Sequence, residues 1–94
     1  MIVRVLGEGQ YALDEAHAEL LNGLDSGLER AVESGDEAAF RSALADLLAQ
    51  VRTNGERLPD DSLEPSDAVL PDEGSSLEEV RTMLADSSEG LIPG

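Results

Sequence analysis

Apolar positions recur along this chain in two different periods. Leu13, His17, Leu20, Leu21, Leu24, Leu28, Ala31 and Val32 fall three and four apart, and so do Phe40, Ala43, Leu44, Leu47, Leu48 and Val51. That spacing gathers side chains on one face of a 3.6-residue helix. Between the runs stands Ser34-Gly35-Asp36. Gly35 can adopt the left-handed conformation that ends a helix, and Asp36 can accept hydrogen bonds from the free amides that open the next. The pattern predicts an antiparallel helical hairpin over 14–54, which holds most of the apolar surface.

Ahead of it the pattern alternates. Ile2 to Leu6 and Gln10 to Leu13 read as strands joined by Gly7-Glu8-Gly9, giving a β-hairpin over 2–13. A three-residue loop places Gly9 in the left-handed region and pairs Leu6 with Gln10, Val5 with Tyr11, Arg4 with Ala12 and Val3 with Leu13. Val3, Val5, Tyr11 and Leu13 then share a face, which must lie on the helices because a lone hairpin is marginal in water. Gly7, Gly9 and Ala12 also fit the G-x-G-x-x-A dinucleotide fingerprint. That fingerprint needs a helix opening at the glycines; here a second strand follows, and Glu8 would face the phosphates.

Beyond Gly55, which can cap the second helix, the periodicity stops. Prolines at 59, 65 and 71 make 56–74 an extended acidic segment, wrapped along the helical hairpin with Ala68 to Leu70 as a third strand beside the first. A flexible acidic linker is the alternative. Ser76 and Glu79 form a capping box that opens a short helix over 76–86, with Leu77, Val80 and Leu84 on one face. The tail 87–94 carries Leu91 and Ile92, which either dock on the chain's own core, enter a partner's groove or stay unpinned. The sum is an α+β fold in a single small domain, 1–94: a β-hairpin packed on an antiparallel αα-hairpin, with a Pro-rich segment and a short C-terminal helix.

Within the helices, Asp14 and Glu15 suit the positive end of the first dipole, Glu37 and Arg41 make a favourable i, i+4 pair, and Arg52 suits the negative end of the second. Gly23 and Gly27 each cost about 1 kcal/mol relative to Ala in a helix interior. Either another backbone approaches there, within the chain or from a partner, or the helix kinks. His17, the sole histidine, has no Ser, Cys or second ligand near it in sequence, so a structural or partly exposed role is expected.

Composition narrows the chemistry. Ninety-four residues with no Cys, no Trp, one Phe and one Tyr give a modest aliphatic core and exclude disulfides and thiolate chemistry. The apolar opening is too short for a signal or a membrane span, which predicts a soluble, cytoplasmic chain. The net charge is −15 and all six cations are Arg. Such a field disfavours direct contact with nucleic acid or anionic lipid and favours a basic protein surface; the plainer account is solubility. Asp60, Asp61, Ser62, Glu64 and Asp67 suggest calcium, but an EF-hand loop starting at Asp60 would place Pro65 where Gly must turn and Pro71 where the bidentate Glu belongs. No nucleophile, base and ligand cluster is present, so neither an enzyme nor a cofactor is expected.

The opening Met1-Ile-Val-Arg-Val-Leu-Gly-Glu-Gly-Gln-Tyr11, the middle Leu58-Pro-Asp-Asp-Ser-Leu-Glu-Pro-Ser-Asp67, the helix start Ser76-Leu-Glu-Glu-Val80 and the closing Gly90-Leu-Ile-Pro-Gly94 together resemble PspAA, the PspA-associated protein family of actinobacteria and some archaea. The resemblance spans essentially the whole chain. It implies a companion of PspA, the membrane-remodelling coiled-coil protein of the phage-shock envelope-stress response, and no catalytic residue. With the charge, it points to a non-catalytic acidic adaptor, held peripherally at the inner face of the membrane through its partner and not inserted itself. Its docking residues are expected to be Leu20, Leu24 and Leu28 on the first helix with Leu91 and Ile92 of the tail; homo-oligomerisation stays open. The alternative is an acidic DNA mimic that occupies a DNA-binding protein.

Overall fold

A computed structural model describes residues 1–85. In chain order they form β1 (Ile2–Val5), β2 (Gly9–Ala12), α1 (Glu15–Ser34), α2 (Glu37–Asn54), β3 (Glu56–Arg57), β4 (Ala68–Leu70) and α3 (Leu77–Ala85). The four strands make one mixed sheet in the order β3-β2-β1-β4, with β4 parallel to β1 and the other pairs antiparallel.

The hairpin register is two residues away from the one expected from the loop length. Val5 pairs with Gly9, Arg4 with Gln10, Val3 with Tyr11 and Ile2 with Ala12. The turn closes earlier, with Glu8 N–H donating to Val5 O at 3.0 Å and Gly7 at φ 83°, the position where a type II turn demands positive φ. Gly9 is thus a strand residue, not the last of the loop. A Cβ there would lie 3.0 Å from the Arg57 guanidinium that packs over it. Because the slip is even, the faces are unchanged: Val3, Val5, Tyr11 and Leu13 are all buried against the helices.

The helical hairpin follows its sequence signals closely. Gly35 ends α1 at φ 72°, with its N–H on Val32 O and the Asp36 N–H on Ala31 O, the paired bonds of a Schellman motif. Asp36 then caps α2 by accepting from the Ala39 N–H at 3.1 Å, as Asp14 caps α1 through the His17 N–H at 2.9 Å. Leu21, Leu28 and Val32 of α1 meet Phe40, Leu44, Leu47, Leu48 and Val51 of α2 in the core, and Leu77 and Val80 of α3 close it. Asp25 is also buried on the inner side of α1, which the apolar periodicity does not announce.

Two features of 56–74 differ from expectation. Glu56 and Arg57 form a strand against β2, which residue pattern could not reveal in a two-residue element. Residues 58–67 of the segment also cross the outer face of the sheet, away from the helices. Leu58 N–H donates to Gln10 O on one side and Asp67 N–H to Ile2 O on the other, while the Gln10 amide, opposite in face to Tyr11, donates to Glu64 O at 2.6 Å and to Ser66 Oγ at 2.9 Å. Gln10 is buried beneath it. The strand expected at Ala68 to Leu70 forms, beside β1. The short helix opens as expected, with the Glu79 N–H on Ser76 Oγ; position 86, the last of its expected span, lies outside the described residues.

Candidate interaction surface

The solvent side of α1 carries one exposed large hydrophobic residue, Leu20, among polar neighbours such as Glu19, Ser26 and Arg30. Leu20 is 47% exposed, Leu24 is partly buried against the core, and Leu28 is wholly inside it. The three leucines expected to dock a partner therefore divide between surface and core. Leu91 and Ile92 lie outside the described residues. On the same solvent side, one and two turns beyond Leu20, sit Gly23 and Gly27; a Cβ built on either meets nothing within 4 Å. α1 runs through both, and no backbone of the described chain comes close to them.

The cations are committed elsewhere. Arg52, on the last turn of α2, donates from Nε and Nη2 to the Glu8 carboxylate (2.9 and 2.8 Å) and from Nη1 to Glu73 Oε1 at 2.8 Å, so it ties the β1–β2 turn to the segment before α3. This is a bidentate pair extended to a third element. It holds the Glu8 carboxyl below the usual glutamate range, chiefly through the Arg52 hydrogen bond, and raises the Arg52 guanidinium further above its own. Arg57 donates to Glu8 O, meets Asp60 at 3.3 Å and lies 5.8 Å from the Tyr11 ring centre. Arg81 joins Glu78 at 3.0 Å and the Val32 carbonyl at 3.1 Å, Arg41 joins Glu37 at 3.5 Å, and Arg30 donates to Ser26 O. Five of the six arginines thus serve contacts within the chain, and most of the described carboxylates are exposed to solvent.

His17 stands at the first turn of α1 with Nδ1 2.8 Å from Asp14 Oδ1 and a side chain 38% exposed. The Asp14 carboxyl lies below the usual aspartate range, mainly because it accepts the His17 backbone N–H. Among the described residues no three His, Asp or Glu side chains gather to hold a metal ion, Asp60 and Asp61 included. A shallow cleft between α1 and α3 is lined by Glu29, Val32, Glu33, Arg81, Leu84 and Ala85, and offers no nucleophile. None of the described helices is long and apolar enough to cross a membrane.

The Arg52 clasp and the Gln10 support were invisible to periodicity. Arg52 finds Glu8 at a separation of 44 residues, and Gln10 finds Glu64 at 54, distances over which no local pattern connects the partners.

Comparison with curated proteins and with solved structures gives no match. A model of one family does match, over residues 1–94, so that the hairpin, the strap across the sheet and the capped third helix all fall within it. By that match the chain belongs to the PspA-associated protein family.

Proposed function

We propose that this chain is a non-catalytic acidic adaptor that docks a helix of the coiled-coil protein PspA on the solvent face of α1, and through it acts at the membrane in the envelope-stress response. One observation carries the reading. Gly23 and Gly27 lie open in the interior of a 20-residue helix, where no described residue needs the missing side chain. Each costs about 1 kcal/mol of helix stability relative to Ala, so neither is explained by folding. Beside the exposed Leu20 they leave a shallow track along which a partner helix can approach closely. The family association with PspA supplies the partner, and the Arg-poor surface supplies its charge preference. A strongly acidic chain is repelled by anionic lipid and reaches a membrane by riding on a protein that binds it.

The test separates folding from binding. Gly23→Ala and Gly27→Ala are expected to raise stability by about 0.5–1 kcal/mol each in denaturant titration. Gly23→Leu with Gly27→Leu is expected to keep the fold and to abolish binding to purified PspA, because the added side chains fill the track. Unchanged PspA binding by the double leucine variant refutes docking at this face. If neither form binds PspA while a transcriptional regulator co-purifies, the DNA-mimic reading takes its place.

A further inference from the structure

The strap across the outer face of the sheet carries a leucine that packs on nothing. Leu63 is 97% exposed, against 47% or less for every other large hydrophobic residue described as exposed. A single exposed leucine is common on protein surfaces. What sets this one apart is the backbone that carries it. Ser62 N–H closes a turn onto Pro59 O at 3.0 Å, Glu64 N–H reaches Ser62 Oγ at 3.3 Å, and Glu64 O receives the buried Gln10 amide. Both chain neighbours of Leu63 are therefore pinned, and Pro59 and Pro65 restrict the segment further. A side chain presented on an already ordered backbone loses little conformational freedom when a partner covers it.

Its surroundings define what could cover it. Asp60, Asp61 and Glu64, the sequence neighbours of Leu63, are exposed, and Arg57, which meets Asp60, is shared with Glu8 and the Tyr11 ring, while Arg4 lies opposite Gln10 on the same outer face of the sheet. We infer that Leu63 is the apolar anchor of a second contact with PspA, inserted into an apolar pocket of the partner whose rim carries Lys or Arg. The inference rests on PspA being the partner, as proposed above. The strap and α1 lie on opposite sides of the sheet, so the two contacts reach different surfaces of the partner assembly.

The experiment measures binding of purified PspA to the 94-residue chain and to its Leu63→Ser and Leu63→Met variants, at low and high salt, with thermal melting of each. Leu63→Ser is expected to melt with the parent chain, to lose at least about tenfold in affinity, and Leu63→Met to stay within about threefold. The affinity of the parent chain should fall with salt as the carboxylate rim is screened. If Leu63→Ser binds like the parent, the anchor is wrong while the adaptor reading stands; if the parent binds no PspA, both fall. A lowered melting temperature for Leu63→Ser contradicts the premise that this side chain packs on nothing.

Discussion

Gly55 shows how much one absent side chain can decide. It follows α2 with extended dihedrals (φ −86°, ψ 150°) and donates its N–H to Val51 O, so any residue could adopt its conformation. The constraint is space: a Cβ there would sit 2.6 Å from Val51 O and 2.9 Å from Tyr11 Cβ. Neither a helix carbonyl nor a buried aromatic in the sheet can yield cheaply. Gly55→Ala should therefore destabilise the fold by about 1–3 kcal/mol, read from the shift in denaturant midpoint. Gly23 and Gly27 have open space at the same position and should respond with the opposite sign. Sequence separates a glycine at a helix end from two in a helix interior, but only the neighbours give the sign of each substitution.

Among elements, the Arg52 clasp joins α2, the β1–β2 turn and the segment leading to α3. Its partners are about one third to one half exposed, so water and salt screen it, and removing Glu8 should cost only a few tenths to about 1 kcal/mol. The pH dependence gives it a signature. The Glu8 carboxyl titrates lower in the folded chain than in the unfolded one, so its contribution is complete above the ordinary glutamate range and is lost as pH falls through the lower folded value. Asp14, depressed by its cap bond to His17, acts in the same direction. Unfolding curves of the parent and Glu8→Gln should thus be separated at neutral pH and draw together as pH falls below the ordinary glutamate range. A separation that persists unchanged in acid means the clasp acts through packing and not charge.

For the whole molecule, charge balance dominates. Twenty-one carboxylates face six arginines, and the ion pairs among the described residues have side chains exposed to 30% or more. Added salt weakens both those attractions and the far more numerous repulsions as the screening length shrinks from about 30 Å at 0.01 M to about 10 Å at 0.1 M. Repulsion should win, so the melting temperature is expected to rise between these salt concentrations. A fall would show that the Arg52 and Arg57 contacts outweigh the net charge.

What the sequence determined by itself are the features whose cause is local. Helix periodicity, the Gly35-Asp36 junction, the caps at Asp14, Asp36 and Ser76, and the alternation that buries Val3, Val5, Tyr11 and Leu13 depend on residues within a few positions of each other. The strand at Ala68 to Leu70 was legible because prolines isolate it and its inward residues are apolar. Tertiary structure alone decided the rest. It set the hairpin register, where two even alignments bury the same side chains and Gly7 and Arg57 choose between them. The path of the strap depends on a buried Gln10 amide that looks like an ordinary polar strand residue. The Arg52 clasp needs three elements to converge, and the division of Leu20, Leu24 and Leu28 between solvent and core depends on where α2 and α3 lie across α1. Local chemistry chooses elements; which of their faces remains open is fixed only when the elements meet.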